Sequence, residues 1–136
     1  MAELTTLAMA RISGDYPLPR HNVLLVSCMD LRLINELVSF MDRDNLTNRY
    51  DHLVVAGAAL GVVQKDHRNW TKAFFEHLDI ALELHQPEDV YIVEHRNCGA
   101  YAKLLKENFG DSPAELFRER ELHRKQALKL SRRIKK

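Results

Sequence analysis

Three apolar, β-branched runs punctuate the chain: Val23-Leu24-Leu25-Val26, Leu53-Val54-Val55-Ala56 and Val90-Tyr91-Ile92-Val93. Runs this short and continuous read as buried strands, predicted over 21–27, 52–56 and 89–94. Between them the apolar period changes to that of a helix. Leu4, Leu7, Ala8 and Ile12 predict a short helix over 4–12, closed by Ser13-Gly14, after which Tyr16-Pro17-Leu18-Pro19 enforces an extended connection. Ile34, Leu37, Val38 and Met41 predict a second helix, ended by the polar run 42–45. Trp70, Ala73, Phe74, His77, Ala81 and Leu84 mark a long helix over 69–86 with Pro87 just past its end, and on that stripe His77 reads as a core or interface histidine. A helix over 100–108 closes at Gly110. A last helix runs from Ser112 to Ile134, with Ser as N-cap, Pro at the first position and Glu115 able to bond back to the Ser amide. Its Leu116, Phe117, Leu128 and Ile134 are expected to pack on the body or on a second subunit.

Chemistry-bearing residues collect where two of these strands end. Cys28-Met29-Asp30-Leu31-Arg32 follows the first run, and His95-Arg96-Asn97-Cys98-Gly99 follows the third. If the strands are parallel neighbours, their carboxyl ends lie side by side, where open α/β sheets place their chemistry. Cys28, His95 and Cys98 then converge. Two thiolates and a neutral imidazole suit zinc and leave its fourth position for water or substrate, the pattern of a catalytic site. A disulfide is the alternative use of two cysteines. On an extended strand end, positions 28, 30 and 32 would share a side, bringing an Asp30–Arg32 pair close to the Cys28 thiolate. A bidentate arginine lowers a carboxylate's proton affinity, which would keep Asp30 an anion able to orient a metal-activated water. Gly99 opens the next helix, so its amide N–H is a candidate contact for an anion such as bicarbonate. Gly57-Ala58-Ala59-Leu60-Gly61 has small residues suited to close packing of loop on sheet or to a pocket wall.

Cys28-x-Asp30-x-Arg32, followed by His95-x-x-Cys98-Gly99, resembles the signature of the β-class carbonic anhydrases, and the resemblance runs from about Asn22 to about Leu105. It implies an α/β fold with a mostly parallel central sheet flanked by helices, with N-terminal and C-terminal helices added. It also implies Zn2+ on Cys28, His95 and Cys98, with zinc-activated hydroxide converting carbon dioxide to bicarbonate. In that family the residue matching Asp30 takes the fourth zinc position when its arginine, here Arg32, releases it. The N-terminal helix reaches a partner subunit, so a homodimer or higher homo-oligomer is expected. The pattern differs in three places. Leu31 stands where a small polar residue is frequent, Val54-Val55-Ala56-Gly57-Ala58 replaces a segment that is commonly Arg-Asn-Ala-Gly-Asn, and no glutamine precedes Cys28. A more apolar pocket would suit carbonyl sulfide or carbon disulfide, which relatives with this fold hydrolyse. A non-catalytic zinc-stabilised binding domain is the third reading.

At 136 residues the chain is expected to form one domain over 1–136, with an arm over 1–20 and a basic helix over 112–136. The longest apolar stretch, 53–63, is far short of the ~20 residues that cross a bilayer, and no secretory segment is evident at the start, so the cytoplasm is the expected location. Charge is unevenly placed. Residues 113–136 carry nine Lys/Arg against three Asp/Glu, so an acidic body bears a basic tail. Those bases could attract nucleic acid, but no interleaved aromatics are present to stack on bases, and nucleic acid is not an expected partner.

Overall fold

A computed structural model of the protein describes residues 2–4 and 21–135, with side chains for 21–135. The elements in order are β1 (Ala2–Leu4), β2 (Val23–Ser27), α1 (Ile34–Arg43), β3 (Tyr50–Val54), α2 (Ala59–Val63), α3 (Arg68–His85), β4 (Asp89–His95), α4 (Gly99–Leu105) and α5 (Pro113–Ile134). The strands form one sheet in the order β1-β4-β2-β3. β2 runs parallel to both β3 and β4, and β1 pairs antiparallel with β4, Ala2 opposite His95. Leu4 therefore ends a strand, where the apolar spacing predicts the start of a helix. The rest of that expected helix lies outside the described residues.

β2 is the centre of the core, all five of its residues buried. Val23 and Leu25 face one cluster with Leu33, Leu37, Phe40, Met41, Tyr91, Val93 and Tyr101, while Leu24 and Val26 face another with Val62, Phe74, Leu78, Ile92 and Leu130. Alternate residues on both faces explain why the run has no polar members. Burial of such a side chain contributes roughly 1.5–3 kcal/mol. The chain leaves β2 for β3 on one side and returns from β3 to β4 on the other. The order thus reverses at β2, and the crevice between the carboxyl ends of β2 and β4 is the switch point of the sheet.

Several predicted faces are rotated. α1 buries Leu37, Phe40 and Met41, leaving Ile34 and Val38 half exposed. α3 buries Phe74, Leu78 and Ala81, so Leu84 and His77 are exposed, and His77 Nδ1 meets only its own helix at the Ala73 carbonyl, 2.7 Å away. His77 is therefore not a core histidine. α5 turns Glu119, His123, Gln126 and Leu130 inward, while Phe117 and Leu128, expected to pack on the body or on a second subunit, do not pack on the body and are exposed in the single chain. α4 stops at Leu105 because Lys106 enters the left-handed region and Arg118 takes the Glu107 carboxylate and the Asn108 carbonyl. β3 begins at Tyr50, two residues before the expected start, and ends at Val54, because Val55 to Ala58 form the turn into α2. No helix among the described residues is long and apolar enough to cross a membrane.

Candidate metal centre

The switch point gathers the residues that the two motifs single out. Cys28 directly follows β2, His95 is the last residue of β4, and Cys98 caps α4; all three are buried, and their ligand atoms lie within 4.8 Å of one another. The sulfurs are 3.8 Å apart and both cysteines are free, so the expected alternative of a disulfide, with sulfurs about 2.05 Å apart, is not formed.

The imidazole is prepared for a ligand. His95 Nδ1 stands 2.8 Å from the Arg96 carbonyl, which can only accept, so Nδ1 carries a proton and Nε2 is the nitrogen that can offer a lone pair when the imidazole is neutral. Nε2 is buried without a hydrogen-bond partner. An orphaned acceptor beside two buried thiols is what a divalent metal ion would satisfy, and the residues fit such an ion. Between the sulfurs, hydrogen bonding to Cys98 lowers the Cys28 pKa despite burial, helped by His95 and by the Gly57 N–H, which donates to Sγ at 3.3 Å. The Cys98 thiol is pushed up, first by that same contact and then by burial. The two close sulfurs thus oppose each other's ionisation, and a bound cation would relieve that opposition. Burial disfavours a charged His95, yet contact with the Cys28 thiolate outweighs it and raises its pKa.

Asp30 and Arg32 are adjacent to this centre by a route that differs from the extended one expected. The strand has ended at Ser27, 28–30 is irregular, and 31–33 is a turn closed by the Leu33 N–H on the Asp30 carbonyl. Asp30 Oδ1 accepts from the Arg32 backbone N–H and from Nε, both at 2.9 Å, and Oδ2 accepts from Nη2 at 2.7 Å. These bonds hold the Asp30 carboxyl well below the usual carboxylate range. Its Oδ2 is 3.8 Å from His95 Nε2. Gly99 is exposed at the start of the seven-residue α4, with open space where a side chain would stand.

A cavity of about 150 Å3 opens onto Cys28 and Asp30. Its walls are largely apolar, from Met29, Leu31, Ile34, Leu37 and Val54, with Ser27 and His52 as further polar members. Ser27 Oγ and His52 Nε2 are 2.6 Å apart, and burial lowers the His52 pKa. Neither residue stands out in the sequence, since Ser27 and His52 each lie one position from an apolar run. The glycine segment packs closely, as one of its two expected uses requires, and is not part of the cavity wall. Gly57 (φ +80°) brings its amide to Cys28, while a Cβ on Gly61 would collide with the Ala56 carbonyl and the Val55 side chain.

A family model described as "Putative carbonic anhydrase" matches residues 19–112. An uncharacterized protein of Rickettsia bellii is 35% identical over 86 residues, 63% of this chain and 52% of its own length. One of Rickettsia conorii is 33% identical over 84 residues, 62% of this chain and 45% of its own. The chain spans about half the length of these curated relatives. No solved structure gives a significant match.

Proposed function

We propose that this chain, which belongs to the "Putative carbonic anhydrase" family, is a β-class member that reversibly hydrates carbon dioxide at a zinc ion held by Cys28, His95 and Cys98. The observation that carries the reading is the buried, partnerless Nε2 of His95 within 4.8 Å of two free thiols, with an anionic carboxylate at its edge. Zinc bound there would supply a hydroxide nucleophile near neutral pH, a chemistry that two thiolates weaken by donating charge. The chain's own groups must therefore assist. Asp30, kept ionised by Arg32, accepts a proton-bearing group at the reacting face and orients it toward a gas molecule in the apolar cavity. For bicarbonate the Gly99 amide at the start of α4 is the contact, with open space beside it. The test is stopped-flow hydration of carbon dioxide by zinc-loaded protein across neutral to alkaline pH, with Cys98→Ser alongside. Activity that disappears in the variant is the expected result. A zinc-replete protein with no hydration at any pH overturns it.

The apolar cavity wall favours one second reading, hydrolysis of carbonyl sulfide or carbon disulfide at the same centre. Sulfide release from these gases, without hydration of carbon dioxide, is its signature. Zinc bound with neither activity leaves a zinc-stabilised binding domain.

A further inference from the structure

The two residues between the ligands His95 and Cys98 are gripped by one buried carboxylate on the C-terminal helix. Glu119, 2% exposed, accepts the Asn97 backbone N–H on Oε2 at 2.7 Å and Arg96 Nε on Oε1 at 3.2 Å. Asn97 is in the left-handed region (φ 54°), and its carbonyl accepts from Arg32 Nη2 at 3.3 Å. A single residue thus joins Glu119 on one side to the Arg32–Asp30 pair on the other. The same helix reaches the residue before His95 as well. His123, one turn after Glu119 and also buried, has Nε2 3.7 Å from Glu119 Oε2 and Nδ1 3.3 Å from Glu94 Oε2. α5 therefore braces both flanks of His95, although it lies beyond the 19–112 stretch that the family model matches.

We propose that Glu119 is a positioning residue of the metal centre, setting the spacing of His95 and Cys98 and the seat of Arg32 through the Arg96-Asn97 segment. This rests on the reading of Cys28, His95 and Cys98 as metal ligands. Groups that orient ligands typically change metal affinity 10–100-fold when removed. A carboxylate that only held α5 to the body would lower the stability of the metal-free protein and leave the affinity of the folded protein unchanged.

The experiment compares wild type, Glu119→Ala, Glu119→Gln and, as a control on the exposed side of the same helix, Glu121→Gln. It measures Zn2+ affinity by competition with a chromophoric chelator and the visible spectrum of the Co2+-loaded proteins. Glu119→Ala is expected to bind zinc about 10–100-fold more weakly and to shift the cobalt ligand-field bands while retaining the thiolate charge-transfer band. Glu119→Gln, which keeps an acceptor for Asn97, should fall between it and wild type, and Glu121→Gln should match wild type. Wild-type affinity and spectrum in a folded Glu119→Ala overturn the proposal. Should that variant not fold, a Glu119→Gln protein equal to wild type overturns it instead. A wild-type chain that binds neither metal at one ion per chain removes the metal reading itself and this proposal with it. Full metal binding indifferent to residue 119 removes only the role of Glu119.

Discussion

Asp30 is held by three donors of one residue, and this grip determines what each substitution should do. Asp30→Ala leaves the three candidate ligands in place, so zinc affinity should stay within a few-fold while hydration falls by on the order of 10²-fold or more, the usual contribution of a positioned acid–base group. Hydration at the wild-type rate would remove Asp30 from the reaction. Arg32→Ala has the opposite sign on the metal. A released carboxylate 3.8 Å from His95 Nε2 is near enough to become a fourth ligand, so zinc should bind at least as tightly while hydration is lost. Chelator competition and stopped-flow rates on the same samples decide it, and weaker binding would refute the gating role. His52 carries a pH prediction. Burial lowers its folded pKa, so below the ordinary histidine value of about 6.5 the unfolded chain takes up a proton that the folded chain resists. Stability from this group is therefore full above that value and declines as pH falls. His52→Gln should show a shallower fall in Tm between pH 7 and pH 5 than wild type, and equal slopes would exclude the effect. Cys28, His95, Cys98, Asp30 and Arg32 were legible because reactive residue types at strand ends have few structural uses. Glu119 and His123 were not, because charged residues on a terminal helix ordinarily face water. The available signal was the stripe Leu116, Leu130 and Ile134, whose interior turns pass through both polar residues.

Between residues and fold, α2 is constrained by backbone contact at Gly61. A methyl group on Gly61 has the Ala56 carbonyl in its way, and backbone cannot rotate aside as a side chain can. Gly61→Ala should cost about 1–3 kcal/mol, the range for overpacked sites, read as a lower denaturant midpoint at unchanged slope. A midpoint equal to wild type would mean that α2 moves away freely. At the other end of the chain the Ser112 hydroxyl accepts the Glu115 N–H at 3.3 Å, and Ser112→Ala should cost about 1 kcal/mol by the same measurement. The Glu115 carboxylate meets the Ser112 hydroxyl at 3.2 Å, where a bond to the Ser112 amide was expected. Strand and helix identities from 21 onward followed from periodicity, since continuous apolar runs and capped helical stripes have few competing explanations, except for α2, which begins in a stretch read from its glycines and alanines as a loop. Faces were less legible. Ile34 and Phe40, or Leu84 and Leu78, are equally apolar in sequence, and only the position of the sheet selects which turns inward. The antiparallel β1 was hidden because a three-residue strand has too few positions to show a period.

For the whole molecule, the apolar surface around the cavity mouth is the feature a single chain leaves unused. Leu31 is 90% exposed and Met29 69%, and the exposed Ile34 and Val54 line the same cavity. Exposed apolar residues gathered at one cavity often mark a surface that a partner covers. The resemblance to β-class enzymes supplies an occupant, a second copy of the chain. A self-complementary contact about a two-fold axis would place each rim on its counterpart and exclude water from both cavities. We expect the protein to sediment as a dimer or a higher even assembly, and Leu31→Asp, which buries a charge at that contact, to shift it toward monomer with its zinc retained. Hydration should fall in the same variant, because the cavity then opens to solvent. A wild-type monomer at high micromolar concentration, or a Leu31→Asp dimer as tight as wild type, would move the contact elsewhere. On the basic helix Arg118 and Arg124 pair with Glu107 and Glu121, and Arg133 lies over the Phe75 ring. We expect any nucleic-acid affinity to be weak and to vanish with salt, whereas a dimer held by apolar area would persist in it.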